Sequence, residues 1–284
     1  MAATCRAGSR RFERHRATHV QFVPTMMRRL PRLPEADRRR FDLSSPRTVI
    51  HAAAPCPVEL KRQIIDWFGP IVWEYYVGSE GNGYFAIGSD DWLAHPGSVG
   101  GAMYGQPHVL DDDGAELPPG EIGTIWFERT TAFAYHNDAE KTAWAVNDRG
   151  WSTLGDVGRL GGDGYLYLSD RRVDLIISGD VNICPQEIEN VLAMHPAVFD
   201  ATVIGLPDEE MGQRVVAVVQ AEPGVAAGPG MTEELLAHCR AHLAGFKCPR
   251  DLVLIAELPR LPSGKLLRRR VRDWFDSGVL RQDA

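Results

Sequence analysis

The chain has 284 residues, 44% hydrophobic and 24% charged, with a formal net charge of −7. That length suits two domains with buried cores, and the composition is that of a soluble globular protein rather than a disordered or fibrous one. No run approaches the roughly 18 apolar residues of a membrane span, no signal-peptide apolar core follows Met1, and the acidic total argues against general nucleic-acid binding.

The charge is uneven. Residues 1–40 hold eleven arginines against Glu13, Glu35 and Asp37, a net of +8. Such a segment reads as a transit-peptide-like leader or, as we prefer, a surface helix without its packing partner. The five cysteines (Cys5, Cys56, Cys184, Cys239, Cys248) are scattered, with no C-x-x-C pair. Neither a disulfide framework nor a zinc site is expected, and a reducing cytoplasmic location is.

In chain order, His19 to Ile50 is expected as a basic helical stretch leading into a short strand, Thr48–Ile50, that stops at the small-residue turn Ala52–Pro55. Glu59–Phe68 has helical spacing with Leu60, Ile64 and Trp67 on one face. Ile71–Tyr76 is a strand that runs into the glycine-rich polar loop Val77–Gly83. Strand, turn, helix, strand, turn is the grammar of a parallel α/β sheet, where ligands sit beyond the carboxyl ends of strands. Residues 97–170 change character. Turn signals at Asp111–Gly114, Pro118–Gly120 and Asp163–Gly164 separate short strands such as Ile122–Glu128 and Tyr165–Leu168, which predicts a small antiparallel unit or distorted barrel.

Beyond Arg171, strands are expected at Asp174–Ser178, Val198–Ile204, Arg214–Ala221 and Asp251–Ala256. Helices are expected at Pro185–Met194, Met231–Ala244 and Leu266–Phe275, the first with proline in its first turn and acids near its positive end. The expected architecture is α/β: part of a large domain over 1–172, its barrel-like portion at 97–170, then a small α+β domain over 173–284.

Four loops carry candidate chemistry. Tyr75-Tyr76-Val77-Gly78-Ser79-Glu80 ends a strand with a hydroxyl beside a carboxylate. That pair could hold a phosphate oxygen and Mg²⁺ together, since Mg²⁺ takes one or two carboxylates plus substrate phosphates; the plainer reading is a polar turn. Asp156, after Gly155, could accept two ribose hydroxyls or be a turn aspartate. Ser169–Asp174 lies at the domain junction, where charged pairs also serve as hinges and salt bridges. The fourth is Leu258-Pro259-Arg260-Leu261-Pro262-Ser263-Gly264-Lys265, whose lysine sits on a loop stiffened by proline. Lysine is scarce, four residues against 27 arginines. Its use here suits a compact, mobile ammonium rather than a planar fork, although an isolated turn lysine is more commonly only solvated.

In their order and spacing, with Ser178–Glu189 between the third and fourth and Leu117-Pro118-Pro119-Gly120-Glu121-Ile122-Gly123 upstream, these motifs resemble the adenylate-forming superfamily, specifically AMP-forming acyl-CoA synthetases of the fatty-acyl type. The resemblance runs from about Phe12 to Phe275 and covers the C-terminal portion of such enzymes. It implies a ligase using ATP, Mg²⁺ and coenzyme A to convert a carboxylic acid to an acyl-adenylate and then a thioester. It implies that Ala53, Ala54 and Pro55 pack on adenine with Tyr76 stacked on the base beside Tyr75. Ser79 contacts phosphate, Glu80 holds Mg²⁺, Asp156 takes the ribose and Arg171 touches the nucleotide. Gly179 belongs to the face used in the thiol step, and Lys265 bridges the α-phosphate and the substrate carboxylate. The small domain would turn about its hinge between the half-reactions.

The chain departs from the pattern. Val77 and Asp180 stand where glycine is usual, Val173 where a hinge Lys or Asp is usual, and Cys184 where Tyr is usual. The upstream phosphate loop of the family has no counterpart here, and the sheet face that the family's first half covers should be apolar. The chain is therefore expected to be a truncated ligase; the alternatives are an inactive remnant that binds nucleotide or a partner, and a half-enzyme completed by a separately encoded N-terminal chain or acting as a homodimer. A nucleic-acid partner would rest only on the basic runs Arg38–Arg40 and Arg268–Arg270.

Overall fold

The computed structural model describes residues 14–28, 30–128, 133–179, 181–261 and 266–280. The chain divides into two compact units, Met1–Ser169 and Asp170–Ala284.

The first unit contains β1 (His19–Phe22), α1 (Pro24–Met27), α2 (Glu35–Arg38), β2 (Thr48–His51), α3 (Val58–Phe68), β3 (Val72–Val77), β4 (Tyr84–Gly88), α4 (Ser89–Ala94), β5 (Gly101–Tyr104), β6 (Gln106–Leu110), β7 (Gly123–Glu128), α5 (Ala139–Trp144), β8 (Ser152–Leu160) and all but the last two residues of β9 (Leu166–Arg171). The strands β1-β2-β3-β4-β5 form one mixed sheet, parallel across β1–β3 and antiparallel beyond. The long N-terminal helix expected from sequence is absent among the described residues. Pro24, Pro31 and Pro34 each remove a backbone donor and clash with the preceding turn, so helix persists only as α1 and α2. His19–Phe22 instead pairs in parallel with β2. Met27, Leu30 and Leu33 are buried, so this segment is part of the core rather than a surface element.

Period-2 alternation gives the five-stranded sheet two unlike faces. On one, Phe22, Val49, Val72 and Ile87 meet Leu60, Ile64, Ile65 and Phe68 of α3 and Trp92 of α4. The other carries Trp73, Tyr75 and Val77, then Tyr84 opposite Val77 and Tyr104 opposite Tyr84. Trp73 (47%), Val77 (45%) and Tyr104 (44%) are exposed there, in keeping with the expected apolar face.

The region from 97 is not a barrel. Strands β6-β7-β8-β9 form an open antiparallel sheet, while β5 belongs to the larger one. Closure would need β6 to pair with β9; instead the β9 edge is met by Val99 and Gly100, whose N–H and C=O exchange hydrogen bonds with Leu166 at 2.9 Å each. Only glycine fits at 100, where φ is +105° and a Cβ would lie 2.1 Å from the Ala86 carbonyl oxygen.

The second unit contains β10 (Ile176–Ser178), β11 (Val181–Ile183), α6 (Pro185–Met194), β12 (Val198–Asp208), β13 (Gly212–Ala221), α7 (Pro229–His242), β14 (Asp251–Ile255) and α8 (Arg268–Asp276). Strands β12 and β13 form a long hairpin, and β14 joins β13 in parallel after the α7 crossover. One face of this sheet packs against Ile188 and Leu192 of α6 and Leu235 and Cys239 of α7. The other packs Ile204, Leu206, Val216 and Val218 against Leu258 and Val271. Residues 172–174 form a 3₁₀ turn rather than the start of a strand.

Candidate active site

The parallel register pairs His51 with Glu74, so the turn after β2 leaves the sheet beside the last residues of β3, toward the carboxyl ends of neighbouring parallel strands. Ala53, Ala54 and Pro55 form an exposed turn after β2. Ala53 has φ +73°, a left-handed conformation costing an alanine about 1–2 kcal/mol. Tyr75 and Tyr76 end β3, and Gly78–Gly81 close a turn through the Gly81 N–H to the Gly78 carbonyl at 3.1 Å. Ser79 is exposed in that turn and Glu80 half-buried.

The Tyr76 hydroxyl donates to Asp156 Oδ2 at 2.5 Å across 80 residues of sequence. Its ring packs near Phe85 and Phe127, with centroids 6.0 and 6.4 Å away. Asp156 is brought there by a bulge in β8: between the pairs Thr124–Val157 and Trp126–Thr153, Ile125 alone faces Leu154, Gly155 and Asp156. Such an insertion bends the strand and re-aims a side chain. Gly155 supplies the required φ of +75°, and its N–H donates to the Thr153 hydroxyl at 2.9 Å. The two segments touch closely, since a Cβ at Gly78 would lie 2.6 Å from a Leu154 methyl.

Tyr135 was not foreseen from sequence. Its hydroxyl donates to Glu80 Oε1 at 2.8 Å, and the Lys141 ammonium sits 3.8 Å from its ring centroid. No motif spacing marked it; it follows a stretch with only scattered turn residues. The carboxylate of Glu80 is thereby oriented. The hard-oxygen donor chemistry suits Mg²⁺, which one carboxylate plus phosphate oxygens and water can hold. Among the described residues no cluster of three metal-ligating side chains occurs.

Tyr75 accepts at its hydroxyl from Gln21 Nε2 at 3.2 Å on the opposite face of β3 from Tyr76. Arg171 and Gly179 belong to the second unit and are exposed there. Gly179 has φ +61° and donates to the Met211 carbonyl at 2.8 Å. Lys265 and Asp180 lie outside the described residues. The stem of the lysine loop is described: Arg260 bridges Leu266, and the Leu267 N–H donates to the Pro259 carbonyl at 2.9 Å.

The basic run at 268–270 is not a uniform solvated patch. Arg268 donates to Glu189 at 2.7 and 3.2 Å, to Asp174 at 3.1 Å and to Asp170 at 3.3 Å. Burial alone would lower its pKa, but Glu189 and Asp170 reverse that and raise it. Asp170 also accepts the Gln186 N–H at 2.9 Å, capping α6, and Glu189 accepts from Val203 N–H at 2.8 Å. One guanidinium thus joins both ends of the 170–174 segment, α6, and the start of α8.

Residues 5–134 match the family of AMP-binding enzymes and residues 187–265 the AMP-binding enzyme C-terminal domain. A medium/long-chain-fatty-acid–CoA ligase, FadD8, of Mycobacterium tuberculosis is 34% identical over 94% of this chain and 48% of its own length. A 2-succinylbenzoate–CoA ligase of Bacillus mycoides is 35% identical over 81% of this chain and 47% of its own. The o-succinylbenzoate–CoA synthetase of Bacillus subtilis, solved with ATP and magnesium, superposes with a TM-score of 0.76 at 29% identity over 95% of this chain and 54% of its own. The chain spans about half the length of the curated relatives it matches. With both family matches in order along one chain, and relatives that are acid–CoA ligases, the protein belongs to the AMP-binding, adenylate-forming enzyme family.

Proposed function

We propose that this chain is the C-terminal part of a cytoplasmic, ATP-dependent acid–CoA ligase of the fatty-acyl type. The observation that carries the reading is the Tyr76–Asp156 contact at the carboxyl ends of parallel strands, beside the exposed Ala53–Pro55 turn. A ring and a carboxylate held together in this way offer a nucleoside a stacking surface and acceptors for ribose hydroxyls. Ser79 and Glu80 follow on the same loop, the first toward phosphate and the second toward Mg²⁺. Arg171 is assigned to the nucleotide, Gly179 to the thiol step with coenzyme A, and Lys265 to the α-phosphate and the substrate carboxylate. There its ammonium would stabilise developing charge.

Calorimetric titration of the 284-residue chain with AMP tests this. Binding is expected, with at least about a tenfold loss in Asp156→Ala, equivalent to about 1.4 kcal/mol; equal affinities would overturn the assignment. ATP–pyrophosphate exchange by the chain alone, with fatty and aromatic acids, is expected near background.

A second reading is favoured by the exposed Trp73, Val77, Tyr84 and Tyr104. An apolar face of this kind marks an interaction site. It suits a chain that works with a further polypeptide, either an N-terminal half or a second copy.

A further inference from the structure

Directly beneath the proposed nucleotide turn lies a charge pair that none of the roles above uses. Lys61 Nζ donates to Glu74 Oε2 at 2.6 Å. Lys61 is fully buried, and Glu74 is nearly so. The ammonium also lies 4.8 Å from the Trp92 ring centroid. His51 Nε2 sits 3.5 Å from the same Glu74 oxygen. Burial first, and the Lys61 charge second, hold its imidazole down to about 3, so it is neutral near pH 7. Burial likewise lowers the Lys61 pKa and raises that of Glu74, each opposed by its partner.

The places of these residues along the chain give the pair its consequence. His51 is the last residue before the turn, and Lys61 lies in the first helical turn after it, with its N–H on the Pro57 carbonyl at 3.0 Å. Glu74 is two residues before Tyr76 and projects from the same face of β3. The β2–β3 ladder therefore fixes the entry to the turn, and the Lys61–Glu74 bond fixes its exit against the strand that carries Tyr76. Ala53 keeps its left-handed conformation between these anchors, and strained backbone persists only where its surroundings over-determine it. A buried ion pair is weak evidence for stability, because apolar residues of similar volume often serve as well or better. Two apolar side chains in the same space, with no bond between them, would still leave the turn without a defined distance to Tyr76. We infer that Lys61 and Glu74 are positioning residues that clamp the Ala53–Pro55 turn to the Tyr76 strand and so set the width of the slot into which an adenine ring fits. This rests on the nucleotide reading above for its ligand, but not for the clamp.

The experiment compares the 284-residue chain with Lys61→Met/Glu74→Met, which removes both charges of the pair together. Two measurements are made on each, with thermal unfolding as the check on folding. The first is amide hydrogen exchange. Local opening is read directly there, and the amide of residue 61, which closes the exit of the turn on the Pro57 carbonyl, is expected to exchange at least about tenfold faster in the double variant, while β13 amides are unchanged. The second is AMP binding, expected to weaken by about tenfold or more, since sub-ångström misplacement of contact groups is costly. Unchanged exchange at residue 61 overturns the clamp whatever happens to AMP. Faster exchange with undiminished AMP affinity overturns its role in setting the slot. Failure of the parent chain to bind AMP sinks the nucleotide reading, and the exchange data then decide the clamp alone. Should the double variant unfold, Lys61→Met alone, which removes the bond and leaves Glu74 free to take up a proton in its buried site, carries the same measurements and outcomes.

Discussion

Replacing Arg268 by methionine removes a cation joined to Glu189, Asp174 and Asp170 while preserving much of the apolar stem. The side chains of Asp170 and Glu189 are only 3% and 8% exposed, so the substitution leaves two buried carboxylates without the guanidinium that neutralised them. Removing one member of a buried ion pair costs about 3–5 kcal/mol. Here the lower end applies, since the Arg268 side chain is 19% exposed and Asp174 23%, and water would partly screen the orphaned acids. About 3 kcal/mol in a unit of this size lowers Tm by roughly 15 °C. Thermal unfolding followed by tryptophan fluorescence, to which Trp274 of α8 contributes, measures it. Arg269→Met is the control, because Arg269 is exposed and carries the same change in formal charge. If the Arg268 variant melts within about 3 °C of that control, a shift worth well under 1 kcal/mol, the network described around α6 and α8 is not what holds the unit's C-terminal helix.

Two further outcomes follow from particular positions. Gly155→Ala forces a side chain onto φ +75° and places a Cβ 2.7 Å from the Trp144 ring; a loss of at least about 1 kcal/mol in urea unfolding is expected, together with weaker AMP binding as Asp156 turns away. Wild-type stability in that variant would refute the bulge. His51, held at about 3 in the folded state against 6.5 in the unfolded one, contributes stability that is fully present above pH 6.5 and is lost as pH falls toward 3, at up to about 1.4 kcal/mol per pH unit. His51→Leu should therefore flatten the dependence of the urea midpoint on pH between 6 and 4; an unchanged slope would show that His51 is not kept neutral by its surroundings.

The parts of the fold that were legible in sequence are those with strong local signals. The helix Pro185–Met194 was read to the residue because proline opens it, Glu187 lies in its first turn, and Ile188 and Leu192 fall one turn apart on the buried face. β13 announces itself as a run of valines. β1 was missed because four residues, His-Val-Gln-Phe, become a strand only through β2, which no local pattern encodes. β4 was missed because the preceding glycines read as one continuing loop. Whether β6–β9 close or stay open depends on which strand meets β9, and that is decided by Gly100, far away in sequence. The site divides in the same way. Tyr76, Glu80 and Asp156 were visible as members of motifs, but the bond between Tyr76 and Asp156 depends on a bulge that only pairing with β7 reveals. Tyr135 carried no motif at all, and Arg268 looked like any other residue in a basic tail.

The aromatic row of Trp73, Tyr75, Tyr84 and Tyr104 has one more consequence, which concerns the polypeptide before it has any ligand. A sheet with a greasy side emerges from the ribosome as something a holdase chaperone would grip. Unless another surface seals that side, quality control rather than chemistry sets how long such a molecule survives in the cell.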